Sequence, residues 1–231
     1  MARRKLRGIG ILALAVLAYN NLMALAPGEA RDLYYVPANL AFLGLLFAVA
    51  VPVARLERQD LGLAAPHLGR AALAGVGIGM AVPAPLFLLV AFPGLVDEGA
   101  TDPRAADSLA QLLYQALFRI PLGTALFEEM LFRGLLYGVT VKFYGARAAI
   151  VWSSALFGLW HIAPTYKLLR GAAGIEAEAL LAVAVAGGVL ATFLGGLFFA
   201  VLRHRTRHVA GCVLAHGLIN SLSAVAVYVR A

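Results

Sequence analysis

Long apolar runs alternate with short polar stretches along this chain, and seven of the runs read as membrane-spanning helices. They cover about 8–26, 33–54, 71–93, 109–141, 149–163, 176–202 and 209–229. A span needs about 20 mostly apolar residues, because the hydrocarbon layer is about 30 Å thick and each helical residue advances about 1.5 Å. The run at 109–141 is too long for one straight helix. Arg119 and Pro121 predict a break in it, with an amphipathic lead-in, since proline lacks the N–H that an unbroken helix requires. An eighth span concealed there, or within 164–185, would also fit the pattern. Pro83 and Pro85 predict a bend in the third span. Gly75/Gly79 and Gly134/Gly138 have small-xxx-small spacing, which predicts close approach of packed helices. The expected fold is all-α: a polytopic transmembrane helix bundle of seven or eight spans. No linker or internal repeat divides it, so residues 1–231 read as a single membrane domain.

Composition agrees with the pattern. Of 231 residues, 62% are hydrophobic and 13% charged, against roughly 25% charged in an ordinary soluble domain. Mean hydropathy is +0.85. A soluble nucleic-acid-binding domain, a disordered tail and a disulfide-stapled secreted module are excluded. The single cysteine, Cys212, cannot form an internal bridge. The net charge of +7 does not indicate a nucleic-acid partner, because only 3 of the 19 basic residues are Lys and all are scattered between apolar runs.

The basic residues carry topology instead. Short cytoplasmic loops are enriched in Lys and Arg. With the N-terminus inside, the inner segments hold 12 basic residues, including Arg3, Arg55, Arg58, Arg70, Lys142, Arg147, Arg203, Arg205 and Arg207, and the outer segments hold 5. A cytoplasmic N-terminus and a multi-pass protein of the inner cell membrane are expected. The head Met-Ala-Arg-Arg-Lys-Leu-Arg looks like that of a signal peptide, but its apolar stretch is too long and lacks a cleavage site, which reads as a retained anchor.

Ionisable groups within a span cost at least about 2.5–3.5 kcal/mol near its centre, so the few present are informative. Glu128, Glu129 and Arg133 lie in the fourth span, His161 in the fifth, and His216 with Asn220 in the seventh. Glu176 and Glu178 sit at a helix start, where the helix dipole and water accommodate acids. Glu129 and Arg133 are i, i+4 neighbours suited to an ion pair. Glu128 points about 100° away and is left to face another helix. Taken singly, each motif has a structural reading as well: an ion-pair patch, a hydrogen-bonded core histidine, or an interhelical His–Asn contact. Depth joins them. Glu128 lies about 20 Å from the inner helix end, His161 about 18 Å, and His216 and Asn220 about 10 and 16 Å. Polar groups from three spans thus fall in one layer, as a site requires.

Glu128-Glu129-xxx-Arg133, Phe157-xxx-His161 and His216-xxx-Asn220, in this order and each in its own span, resemble the CPBP family of intramembrane proteases (CAAX proteases and bacteriocin-processing enzymes, the Abi family). The pattern is similar to that of type II CAAX prenyl endopeptidases. The resemblance covers about 110–222. It makes 109–222 a catalytic core bearing EExxxR, FxxxH and HxxxN, and leaves 1–108 as N-terminal spans. It implies a glutamic-type endopeptidase in which Glu128 activates water and His161 holds that water or shuttles its proton. His216 and Asn220 would stabilise the oxyanion, while Glu129 and Arg133 brace the helix. A basic Arg203–Arg207 stretch stands where such proteins more usually have a small-residue turn.

The expected substrate is a protein or peptide with a membrane-associated segment, such as a leader peptide or a C-terminal sorting tail, in contact with the lipid bilayer and without nucleic acid. No cofactor is expected. Zinc is the less favoured alternative: one Glu and two His could bind it, but HExxH is absent and neither His has an evident Asp or Glu partner within the spans. Readings from other classes are a non-proteolytic membrane scaffold or bacteriocin-immunity protein, and a proton-coupled transporter.

Overall fold

A computed structural model of the chain describes residues 2–25, 28–91, 106–172 and 174–230. Its regular elements are all helical among those residues. In chain order they are α1 (Ala2–Leu25), α2 (Gly28–Ala54), α3 (Leu68–Ala81), α4 (Ala84–Ala91), α5 (Leu109–Tyr114), α6 (Phe127–Glu129), α7 (Tyr137–Trp160), α8 (Ile162–Lys167), α9 (Glu178–Thr206) and α10 (Ala210–Arg230). Four stretches are long and apolar enough to cross a membrane: Leu33–Ala54, Ala65–Leu88, Glu178–Thr206 and Ala210–Arg230. Gly10–Ala24 is a shorter apolar helix. The fourth run, with its charged residues, is not among the four. Large apolar side chains such as Val53, Leu73 and Val183 are 80%, 77% and 70% exposed, which suits surfaces that face lipid rather than water.

The break expected at Arg119 and Pro121 is not a break. The chain continues from α5 through π-helical turns at Gln115–Leu126 and Met130–Leu136, with α6 between them. Widened turns accommodate Pro121, which has no N–H and would clash with the carbonyl one turn back in a regular α-helix. The turn between the expected fourth and fifth spans is instead a single-residue hinge inside α7. Gly145 there adopts φ 83°, ψ 172°, a conformation readily open to glycine. The bend expected at Pro83 separates α3 from α4.

The glycine pairs behave differently from one another. A Cβ on Gly75 would fall 2.4 Å from the Gly211 carbonyl oxygen, and one on Gly79 would fall 2.6 Å from Leu218 Cβ. This first pair therefore lets α3 close onto α10, as expected. Gly138 does not meet a helix. Its added Cβ would lie 2.9 Å from the Asp60 carbonyl oxygen, so the second pair makes room for the turn after α2.

That turn, residues 55–64, is held against the ends of α7 and α9. Arg203 donates through Nη2 to the Gln59 and Asp60 carbonyls at 3.2 and 3.0 Å. Lys142 donates to the Arg55 carbonyl and meets Asp60 Oδ2 at 3.2 Å. Val209 N–H reaches the Gly62 carbonyl at 2.9 Å. The Arg203–Arg207 stretch thus pins one end of the bundle. Cys212 is buried and donates weakly to the Phe199 carbonyl.

Candidate active site

The site is assembled on the segment 126–137, which lies inside the bundle. Phe127, Glu128, Glu129, Leu131, Phe132, Arg133, Leu135 and Leu136 are all buried. Phe132 stands edge-on to Phe157 and Trp160, at centroid distances of 5.1 and 5.6 Å. These contacts fix the helix in rotation. Two charged faces follow, because adjacent residues on a helix diverge by about 100°.

Glu129 and Arg133 occupy one face. Arg133 Nη1 lies 3.3 Å from Glu129 Oε1, both side chains being 0% exposed. Arg133 Nη2 donates to the Gly196 carbonyl on α9 at 3.1 Å, and its guanidinium lies 4.2 Å from the Phe157 ring centroid. The bracing pair is present, and it ties α6, α7 and α9 together.

Glu129 does more than brace. Its Oε1 also accepts from His216 Nδ1 at 2.8 Å. The sequence reading found no acidic partner for either histidine in the spans, and this contact corrects it. A carboxylate on one imidazole nitrogen fixes the ring's orientation and its tautomer. With Nδ1 engaged, Nε2 is the nitrogen left to meet another molecule. His216 also stacks on Phe199 at 5.4 Å and meets Phe157 edge-on at 6.5 Å.

Glu128 takes the other face. It is 6% exposed, and its Oε2 is buried with no hydrogen-bond partner among the described residues. Buried carboxylate oxygens are normally paired, since desolvation is costly. Glu128 is nonetheless close enough to His216 and to Tyr35 to interact electrostatically with both.

His161 follows the last residue of α7. Its Nδ1 donates to the Phe157 carbonyl at 2.7 Å. A carbonyl can only accept, so the proton sits on Nδ1 and the Nε2 lone pair is free to accept. The His161 ring packs on Phe157 at 4.6 Å, and Phe157 is therefore the hub shared by His161, Arg133 and His216. Asn220 lies one turn beyond His216 on α10, half-buried, and its amide makes no hydrogen bond to any described residue. The structure thus joins Glu129, Arg133 and His216 directly and His161 through Phe157; Asn220 shares the His216 helix but touches none of them through a hydrogen bond.

The sequence reading missed a polar layer from the N-terminal helices. Asn39, 3% exposed, donates to the Gly123 carbonyl at 2.9 Å and accepts from Tyr19 at 2.7 Å. Tyr35 meets Thr124 at 3.2 Å. Thr124 precedes Glu128 by one turn, so α1 and α2 help hold the helix that carries it. The available signal was an Asn within an apolar span, which is a costly placement.

Beside α10, a cavity of about 420 Å³ is lined by Ala116, Pro121, Gly217, Ser221 and apolar neighbours. Gly217 and Ser221 each adjoin a motif residue, His216 and Asn220. Among the described residues, no group of three His, Cys, Asp or Glu side chains is arranged to hold a metal ion.

Residues 109–222 match the family described as Type II CAAX prenyl endopeptidase Rce1-like. Across these residues the chain belongs to the Rce1-like family. No curated protein and no solved structure matches the chain. The matched segment begins at the first residue of α5 and ends two residues beyond Asn220, so it contains all three motifs. Rce1-like membership places the chain in the general class of CAAX-type intramembrane proteases, which are hydrolases acting on peptide bonds, and with its apolar helices indicates a membrane location.

Proposed function

We propose that the protein is a glutamic-type intramembrane endopeptidase in which Glu128 is the general base. The observation that carries this reading is the buried Glu128 carboxylate, whose Oε2 has no hydrogen-bond partner among the described residues although Glu128 lies within electrostatic reach of the held His216 ring. Glu129 likewise keeps a buried Oε2 without a partner among the described residues, but its Oε1 is held by Arg133 and His216, whereas no such contact holds Glu128.

In this reading Glu128 takes a proton from water, and the resulting hydroxide adds to the scissile carbonyl carbon. His161 accepts a hydrogen bond from that water at Nε2, because its Nδ1 is committed to Phe157. The carbonyl π-electrons move to oxygen. His216 acts here as the imidazolium: its Nδ1–H stays on Glu129 while its Nε2–H, together with the Asn220 amide, donates to that oxyanion, an arrangement commonly worth about 2.7–4 kcal/mol per donor. Glu128 then returns its proton to the amine as the C–N bond breaks. Glu129 holds His216, and Arg133 holds Glu129.

The same reading takes the chain as seven spans with a cytoplasmic N-terminus, one membrane domain whose catalytic core is 109–222, and a place in the inner cell membrane. The joined turns 55–64 and 207–209, which carry Arg55, Arg58 and Arg207, support that orientation. The reading takes catalysis as metal-free, supported by the described residues, among which no group of three His, Cys, Asp or Glu side chains is arranged to hold a metal ion. The substrate is a protein or peptide with a membrane-associated segment, cut at a sorting tail or leader.

The test is a comparison of the termini of membrane and secreted proteins in wild-type and Glu128→Ala cells. New termini in the wild type that vanish in the variant are expected. Identical termini would reject a protease role. Activity should also survive chelation; loss on chelation with recovery by zinc would reject the metal-free mechanism.

A further inference from the structure

Two arginines occupy backbone positions that favour glycine. Arg55 follows α2 with φ 52°, and Arg207 follows α9 with φ 60°. These are left-handed positions just past helix C-termini, where glycine or asparagine ordinarily terminates the helix without strain. Arg207 closes α9 through its backbone N–H to the Arg203 carbonyl at 2.9 Å, a bond that any residue except proline could make. Neither the Arg55 nor the Arg207 side chain has a hydrogen bond or ion pair among the described residues, and both are exposed. Arg203 is different, since its guanidinium is buried and bonded to the turn.

The two arginines lie at the same end of the bundle, because Arg203 and Val209 join their turns. Exposed Arg58, Arg70 and Arg205 belong to the same end. Of the two acids there, Asp60 is engaged by Lys142, and Glu57 is exposed and accepts from Gln59 at 2.7 Å. The surface is strongly basic. Its position relative to lipid is set by the helices: the apolar stretches Leu33–Ala54 and Glu178–Thr206 end one residue before Arg55 and Arg207.

We propose that this end of the bundle is a binding surface for anionic phospholipid headgroups, with Arg55 and Arg207 as its principal contacts. The guanidinium fork matches phosphate oxygens in pairs, and clusters of basic residues at the ends of spans attract anionic lipid. Orientation in the membrane depends on how many basic residues a loop carries, not on which φ they adopt. Topology alone therefore gives no reason to place arginine where glycine would be unstrained. A ligand that uses both guanidinium groups does.

The test uses the purified full chain in nanodiscs of phosphatidylcholine, with or without phosphatidylglycerol, and follows thermal unfolding. Wild type is expected to unfold at a higher temperature when phosphatidylglycerol is present. The double variant Arg55→Gly/Arg207→Gly suits the positive φ at both positions, so it should be at least as stable as wild type in phosphatidylcholine. It should lose most of the shift that phosphatidylglycerol gives. An unchanged shift in the variant, or none in wild type, would overturn the proposal. So would a variant less stable than wild type in phosphatidylcholine, since that would give the arginines an internal role. Inorganic phosphate added to phosphatidylcholine discs is expected to give no shift; a shift equal to that from phosphatidylglycerol would overturn the assignment to lipid.

Discussion

His216 Nδ1 donates to Glu129 Oε1 across 2.8 Å, and the same oxygen receives Arg133 at 3.3 Å. One buried carboxylate thereby links α10, α6 and the helix that follows, and sets the direction in which His216 Nε2 is presented. Glu129→Gln keeps an oxygen for His216 and removes the charge. It is expected to fold and to lower kcat about 10–100-fold with little change in KM, as when an orienting partner of a functional histidine is weakened. Glu129→Ala leaves Arg133 buried without its partner and should destabilise by about 3–5 kcal/mol. Steady-state kinetics and denaturation in detergent would check both; full activity in Glu129→Gln would argue against an orienting role.

Asn39 ties the N-terminal helices to the site through the Gly123 carbonyl. Asn39→Ala strands that carbonyl and the Tyr19 hydroxyl, at a cost of about 1–3 kcal/mol. Reduced thermal stability and a lower kcat are expected, because Gly123 lies five residues before Glu128. An effect on neither would show that α2 is dispensable for placing the site.

Gly75 and Gly77 provide a matched pair on α3. An alanine at 75 would put its Cβ 2.4 Å from the Gly211 carbonyl, whereas one at 77 would meet nothing within 4 Å. Gly75→Ala should cost about 1–3 kcal/mol through forced separation of α3 and α10, and should lower activity because α10 carries His216. Gly77→Ala should be neutral or slightly stabilising. Equal behaviour of the two variants in thermal unfolding would contradict the packing described.

The motif residues were legible because charge in an apolar run is conspicuous at any distance along the chain. Glu128, Glu129, Arg133, His161, His216 and Asn220 all stood out in that way. Their partnerships were less legible. The Glu129–Arg133 pair follows from helical spacing, but the Glu129–His216 contact joins residues 87 apart in sequence and depends on how α10 packs, which Gly75 and Gly211 decide. Asn39 escaped notice because one uncharged amide hardly lowers the hydropathy of its span. Pro121 signalled a break, yet the surrounding chain absorbed it by widening the helix rather than ending it. The joined turns at the basic end could not be read from either turn alone.

His208 supplies a pH-dependent element outside the spans. Its Nδ1 accepts from the Ala210 N–H at 3.0 Å at the start of α10, which requires that nitrogen to be unprotonated. Burial, then the nearby Arg203 and His67, hold it below its ordinary value of 6.5. The unfolded chain thus binds the proton more readily, so the contribution to stability is complete above about pH 6.5 and is lost as pH falls through the folded-state value. Thermal stability should decline on acidification below pH 6.5. His208→Asn, which can cap the helix without titrating, should flatten that part of the profile. An identical slope in the variant would exclude His208 as its source.

The central claim is that the unpartnered Glu128 carboxylate is the base that activates water. It is tested most directly with the near-isosteric Glu128→Gln in the purified protein, measuring hydrolysis of a fluorogenic peptide with an apolar flanking segment, and thermal unfolding on the same samples. The account predicts a fall in kcat of about 10²–10⁴-fold, the usual worth of a general base, with unfolding unchanged or shifted upward because a buried charge has been removed. A variant that folds normally and cleaves within a few-fold of wild type would contradict it.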